Sequence, residues 1–280
     1  MPRPAPSHPP ALHGVAHTLL LPMAVRAQAS FLCPWLDPQD ERARLAFDQL
    51  GGDLPPYPAD GATVVNILWR TQKIREIGQD FFERFAHVQG INLGAGLADY
   101  FQWLDNGRNR WMDVDLPEVM ALRRKLFPRT SVRQESRTED LREPGWWNRL
   151  GLQRHNHHNP LLLISEGILM YMQPTEVKAF LQEIGDHAPE GSELLCDFIS
   201  PLGIGQASPA NPLPEERVAF SWGAHNGQEI ASLHPRLELL QQHSVSEAWG
   251  LGGSWLESLC TPFTGGPIYG LAHLKVSDDL

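Results

Sequence analysis

The segment Ile91-Asn92-Leu93-Gly94-Ala95-Gly96-Leu97 constrains this chain more than any other, because an apolar strand running straight into two glycines opens a βαβ unit. About twenty residues later comes Trp111-Met112-Asp113-Val114-Asp115-Leu116-Pro117, a second strand pattern that ends in a carboxylate. The pair predicts a glycine turn and an acid side by side at the carboxyl ends of neighbouring parallel strands. In open α/β sheets that is where the binding crevice lies.

The rest of the chain follows the same alternation. Short β-type runs at 89–93, 110–114, 161–165 and 193–199 alternate with helical stretches that begin at Pro117 and Pro174, which predicts an α/β fold with a mainly parallel sheet and crossover helices. Both helix starts are chemically sound: Asp115 or Leu116 precedes Pro117 and Glu118, and Gln173 precedes Pro174, Thr175 and Glu176. Upstream, apolar residues recur at helical spacing from His13 to about Leu50 with a break at Pro34 and Pro38, predicting two helices. A loop is expected over Gly51 to Ala62 and a third helix from about Val64 to His87. The organisation expected is a disordered tail over 1–12, with five prolines in its first ten residues, a helical cap over 13–88 and the binding domain over 89–280. Pro201 to Glu216 is a long Pro/Gly/Ala/Ser loop of the kind that closes over sites. Beyond it, β character is expected at Ala219 to Trp222 and Ile268 to Val276, with a helix at about Gly227 to His243 between them.

Charge narrows the partners. With 23 basic against 33 acidic residues, a formal net charge of -10 and a pI of about 5.6, the chain is a poor match for nucleic acid. Its densest basic run, Arg123-Arg124-Lys125, reads as a solvated helix face. Cys33, Cys196 and Cys260 are odd in number and far apart, which suits neither a disulfide framework nor a zinc site and fits a reducing cytoplasm. The early apolar run Leu19 to Val25 is broken by Pro22 and has no basic leader, so neither a signal peptide nor a membrane span is expected. His155, His157 and His158 have no carboxylate or cysteine at ligand spacing, and no metal site is expected.

Gly94, Ala95 and Gly96 would let a ligand approach the backbone closely, although a strand-to-helix turn can require glycine for its own geometry. A dinucleotide site would want a third glycine at position 99, where this chain has Asp99, a carboxylate expected in the first helical turn and repulsive to a pyrophosphate. The expected ligand is therefore a nucleoside without phosphates. Asp115 would accept the protons of both ribose hydroxyls, or else cap the helix that begins at Pro117.

Three ordered stretches, INLGAGLADY, RWMDVDLPEVMALRRKLFP and LLLISEGILMYMQPTEVKAFL, resemble the leucine carboxyl methyltransferase family, in particular its tetracenomycin-type bacterial O-methyltransferase branch. The family's usual wording is LGAGLDTR, EVDLPEV and AEGVLMYL. Arg26-Ala27, Arg70-Thr71 and Tyr269 to Val276 extend the likeness over nearly the whole chain. The resemblance implies a Rossmann-like class I methyltransferase fold, a seven-stranded doubly wound sheet, and S-adenosylmethionine as cofactor. By position, Gly94 and Gly96 would border its methionine part, Asp115 would hold the ribose, and Arg70 would pair with the methionine carboxylate. Asp140-Leu141 would read the adenine amino group, with Glu139 as the competing choice, and Glu166 would line the cofactor and acceptor side, or serve as a cap. The chain departs from the family where Asp-Thr-Arg becomes Ala98-Asp99-Tyr100, which shifts the acid by one position, about 100° around a helix, and removes the arginine.

The expected activity is methyl transfer to a hydroxyl or carboxylate of a small molecule. A carboxylate acceptor needs no base, whereas a hydroxyl would, and His225, Tyr171 and Glu166 are the candidates. Trp222 beside His225 is the tryptophan given some functional weight. The departure at 98–100 keeps a cofactor-binding protein without transferase activity open as an alternative, as the helical cap does an interaction module. The sequence leaves the oligomeric state undetermined.

Overall fold

Two runs of aliphatic residues, Leu161–Ser165 and Glu193–Ile199, carry side chains that are buried on both faces, as strands in the middle of a doubly covered sheet must be. The computed structural model describes residues 18–51, 60–152, 159–207 and 218–278. Its strands are β1 (Gln89–Leu93), β2 (Arg110–Asp115), β3 (Gln134–Thr138), β4 (Leu161–Ser165), β5 (Glu193–Ile199), β6 (Leu237–Ser244) and β7 (Tyr269–Val276). They form one sheet in the order β3-β2-β1-β4-β5-β7-β6, with β7 antiparallel to both its neighbours and the other pairs parallel.

The helices are α1 (Leu20–Ala27), α2 (Ala29–Leu32), α3 (Glu41–Gln49), α4 (Gly61–Arg84), α5 (Phe101–Leu104), α6 (Pro117–Leu126), α7 (Trp146–Arg149), α8 (Pro174–His187), α9 (Gly227–Ala231) and α10 (Gly250–Thr264). Local chemistry sets their starts. Asp60 accepts from the Thr63 N–H at 2.7 Å and Asp40 from the Ala43 N–H at 2.8 Å, each satisfying a free amide of a first turn. Pro117 and Pro174 occupy first-turn positions, and the Glu176 carboxylate reaches back to the Gln173 N–H at 2.7 Å.

Alternation along the strands divides the core. Leu161 and Leu163 of β4 and Leu194, Cys196 and Phe198 of β5 face α7, α8 and α9, whereas Leu162, Ile164, Leu195 and Ile199 face α4 and α5. A third cluster joins Leu20 and Met23 of α1, Ala43 and Ala46 of α3, and Val119, Leu122 and Leu126 of α6 beside the glycine turn.

Several expectations change. The stretch read as a helix from Gly227 to His243 is α9 followed by β6, because the chain turns at His234-Pro235 and the remainder pairs with β7. The edge strand β3 has the sequence Gln-Glu-Ser-Arg-Thr and carries no apolar alternation to read. Among the described residues the helical region before the Gly51 loop holds three short α-helices, with a 3-10 turn at Pro34–Leu36, rather than two helices, and α10 lies where no element was expected. Of Ala219 to Trp222, Ala219 makes a single bridge to Ala207. The expected tail, most of the Gly51–Ala62 loop, His155, His157, His158 and residues 208–217 lie outside the described residues. No helix among those described is long and apolar enough to cross a membrane.

Candidate functional site

A cavity of about 470 Å³ opens at the carboxyl ends of β1, β2, β4 and β5, roofed by α1 and the start of α4. Its floor is the turn 94–98. Gly94 (φ +73°) and Gly96 (φ +48°) lie in the left-handed region, and a Cβ on Gly94 would come within 2.5 Å of the Ile168 side chain. The Gly94 and Ala95 N–H groups both donate to the Val114 carbonyl at 2.9 Å, which pins the turn to the end of β2. Asp115 then receives the Gly96 N–H and the Leu116 N–H, each at 2.7 Å. Burial pushes its carboxyl above the usual range, against the pull of those two amides.

Across the cavity, Arg70 of α4 donates from Nε to Glu166 (2.6 Å), and from Nη1 to Asp197 (3.1 Å) and the Tyr269 hydroxyl oxygen (2.6 Å). Tyr269 in turn donates to Asp197, and Tyr100 donates to Glu166 at 2.5 Å. Burial acts to raise Glu166, but Arg70, Arg26 and the Tyr100 hydrogen bond outweigh it and hold this carboxylate below its ordinary value. Asp197 is raised, chiefly by burial, and burial likewise pushes the Tyr100 and Tyr269 phenols well up. One guanidinium thus carries two carboxylates.

At the β3 end, Glu139, Asp140, Leu141 and Arg142 line the cavity. Asp140 is ion-paired with Arg142 at 2.6 Å, whose hydrogen bond lowers its pKa, and Glu139 is paired with Arg149 at 2.9 Å. On the opposite side the wall is apolar and aromatic: Ile67, Ile199, Leu202, Phe220 and Ile268, with the Tyr171 ring 5.4 Å from that of Phe220. Leu202 and Phe220 are presented by two segments laced together, the Gly205 N–H donating to the Phe220 carbonyl (2.8 Å) and the Phe220 N–H to that of Gln206 (3.0 Å).

The structure therefore gathers Arg70, Gly94, Ala95, Gly96, Asp115, Asp140, Leu141, Glu166 and Tyr171 around one cavity. Two expected residues lie elsewhere. Asp99 points behind the turn, where Arg42 of α3 holds it at 2.9 Å; burial, then the nearby Asp113 charge, raises its pKa. His225 sits outside the cavity lining, its side chain 54% exposed and paired with Glu229 at 2.9 Å, and no histidine lines the cavity among the described residues. Trp222 is buried in the core on the α8 side. Arg123 is also corrected: it is 3% exposed, not a solvated face. Its position shared the helical face of Val119, Leu122 and Leu126, which is the signal that would have marked it as inward-facing. Tyr100 and Asp197 carried no sequence signal of their own as site residues.

The strand order with its reversed β7, and the glycine turn facing an acid at the tip of β2, define the Rossmann-like class I methyltransferase fold. A protein of proposed methyltransferase activity from Thermobifida fusca shares it at a TM-score of 0.57 and 16% identity, over 95% of this chain and 96% of that one. A DUF574 family protein from Streptomyces avermitilis does so at 0.57 and 15%, over 86% and 99%. The family model for leucine carboxyl methyltransferase matches residues 43–185, and the chain belongs to that family. The tetracenomycin polyketide synthesis O-methyltransferase TcmP of Streptomyces glaucescens is 26% identical over 187 residues, which is 65% of this chain and 65% of that relative, just under two thirds of its length.

Proposed function

We propose that the chain transfers a methyl group from S-adenosylmethionine to an oxygen of a small molecule. The observation that carries this reading is the placement of Asp115 and Glu166 on one cavity with the 94–98 turn between them. The residues suit the cofactor. A Cβ at position 94 would strike Ile168, another residue of the cavity wall, and Asp115 keeps lone pairs beyond the two that its backbone amides use, enough to accept from a ribose diol. Leu141 and Asp140 offer an apolar contact and an acceptor to the adenine. When bound, S-adenosylmethionine supplies an electrophilic methyl on a sulfonium.

What remains for the chain is to hold, orient and exclude water. The mixed wall of Ile67, Ile199, Leu202 and Phe220 would take an apolar body and leave its nucleophilic oxygen on the Tyr171 side. Since no histidine faces the cavity among the described residues and the Glu166 oxygens are already taken up by Arg70 and Tyr100, the reading favours an acceptor that arrives as its anion, a carboxylate in the first place. The departure at Ala98-Asp99-Tyr100 is compatible with activity: Asp99 is balanced by Arg42 outside the cavity, and Tyr100 supports Glu166 with a neutral donor. The segment that begins at Pro201 would close the acceptor side through Leu202, Gly203 and Gln206.

The test is incubation of the purified chain with methyl-labelled S-adenosylmethionine and matched aromatic acids, phenols and their pre-methylated forms. Label should enter the acids, at a rate flat from about pH 6 to 9 because a carboxylate is already ionised there. A rate that climbs through the phenol range would assign a hydroxyl acceptor and require a base. Cofactor binding without transfer to any acceptor would favour the inert binder.

A further inference from the structure

Arg123 is a buried cation to which the proposed reaction gives no task. Arg123 reaches from α6 beneath the glycine turn, where Nη1 donates to the carbonyl oxygens of Ala95 (3.2 Å), Gly96 (2.9 Å) and Ala98 (2.7 Å). Its Nη2 lies 3.1 Å from Asp113, which the Trp111 indole N–H (3.1 Å) and the Gln134 amide (3.2 Å) also hold. Arg26 takes the remaining carbonyl of the turn, donating to Leu97 at 2.6 Å. Every carbonyl from Ala95 to Ala98 is thus claimed by a buried guanidinium.

A trans peptide points its N–H opposite to its carbonyl, so fixing the carbonyls also fixes where the turn's N–H groups go. The Gly96 N–H is spent on Asp115 and that of Ala98 on the Ala95 carbonyl at 3.0 Å. The Leu97 N–H shares its peptide with the Gly96 carbonyl. It makes no hydrogen bond among the described residues, and Leu97 lines the cavity. Meanwhile Arg70, the residue that the family resemblance assigns to the methionine carboxylate, already bears Glu166 and Asp197. Its charge is therefore shared between two carboxylates before a third arrives, and a ligand carboxylate on its Nη2 would gain from a second donor across the cavity. Two cations behind the peptides polarise them and strengthen such an N–H.

We propose that Arg123 is a positioning residue that turns the Gly96-Leu97 peptide so that the Leu97 N–H receives the carboxylate of the cofactor's amino-acid tail. This rests on the cofactor named above. It assigns to α6 a part in cofactor selectivity that acts through backbone and touches no ligand atom.

Titration calorimetry of the full chain with S-adenosylhomocysteine and with 5′-methylthioadenosine tests it, since the second keeps the nucleoside thioether and lacks the amino acid. Arg123→Gln should weaken S-adenosylhomocysteine by about tenfold or more while methylthioadenosine stays within about twofold. Arg123→Lys, which keeps the charge but cannot span three carbonyls, should fall between, and it carries the test if the glutamine variant does not fold. Equal losses for both ligands would make Arg123 a structural residue only, and unchanged affinity for S-adenosylhomocysteine would remove it from the site altogether. A wild type that binds neither nucleoside overturns the methyltransferase reading itself, and this proposal with it.

Discussion

Asp115 meets two demands at once, since its oxygens hold the Gly96 N–H of the glycine turn and the Leu116 N–H just ahead of α6 while facing the cavity, and none caps the first turn of that helix. An amide in its place has a single acceptor oxygen, so one backbone N–H loses its partner and the charge is gone. Asp115→Asn should weaken S-adenosylhomocysteine binding by about 1–3 kcal/mol and cost about 1 kcal/mol of stability, read by calorimetry and thermal melting on the same sample. Normal binding with an early melt would make Asp115 a structural residue alone. This residue was legible because a glycine turn and a strand-end acid are fixed by local backbone geometry. Asp99 was not, since its direction is decided by Arg42, 57 residues earlier in the chain. Arg123 was misread for a different reason: a basic run looks solvated, although the spacing of this member with Val119, Leu122 and Leu126 puts it on the inward face.

Among the elements, the centre of the sheet was read well and its edges poorly. The central strands β4 and β5 announced themselves as largely apolar runs because both faces are covered, and β1 through the glycine turn that follows it, whereas the edges β3 and β6 meet water and carry polar side chains. Where β5 meets β7, Glu193 receives the Arg84 guanidinium at 2.8 Å and lies 2.7 Å from His273 Nε2, tying α4 to both strands. Burial acts to raise the Glu193 pKa, but those two partners outweigh it and hold the carboxyl below its ordinary value. The folded state then prefers the ionised form. Its contribution is fully present above the ordinary glutamate pKa of about 4.3 and is lost as pH falls through the lower folded value. Glu193→Gln should therefore lower stability at pH 7 by about 1–3 kcal/mol and flatten the acid limb, measured by urea melts from about pH 3 to 7. An unchanged acid limb would show that other carboxylates govern it. The laced segments around Phe220 give a second element-scale expectation. Phe220→Ala should leave S-adenosylhomocysteine affinity within about threefold yet cut methyl transfer by about tenfold or more, because the ring forms the acceptor wall and not the nucleoside half. Equal turnover would remove this wall from acceptor binding.

At the scale of the molecule, the cavity joins α1, α4, the carboxyl ends of four strands and the start of β7, so a ligand there bridges segments far apart in sequence. Ligand bound to the native state alone stabilises by about 2.7 kcal/mol at one hundred times its dissociation constant, which for a chain of this size raises the melting temperature by about 5 °C or more. A melting curve unmoved by millimolar S-adenosylhomocysteine would count against the cofactor. The alternation of strand and helix around the sheet centre, the glycine turn, the acid at the end of β2 and the helix starts at Pro117 and Pro174 were all settled by the sequence itself. Each depends on residues adjacent in the chain, whose spacing is the geometry. The tertiary structure alone decided the rest: that Asp99 turns away from the cavity, that His225 stands outside it, that β6 pairs as a strand, and that four carbonyls of one turn rest on Arg26 and Arg123. Those outcomes follow from partners brought together by folding, and a buried polar group takes its direction from whichever partner satisfies it.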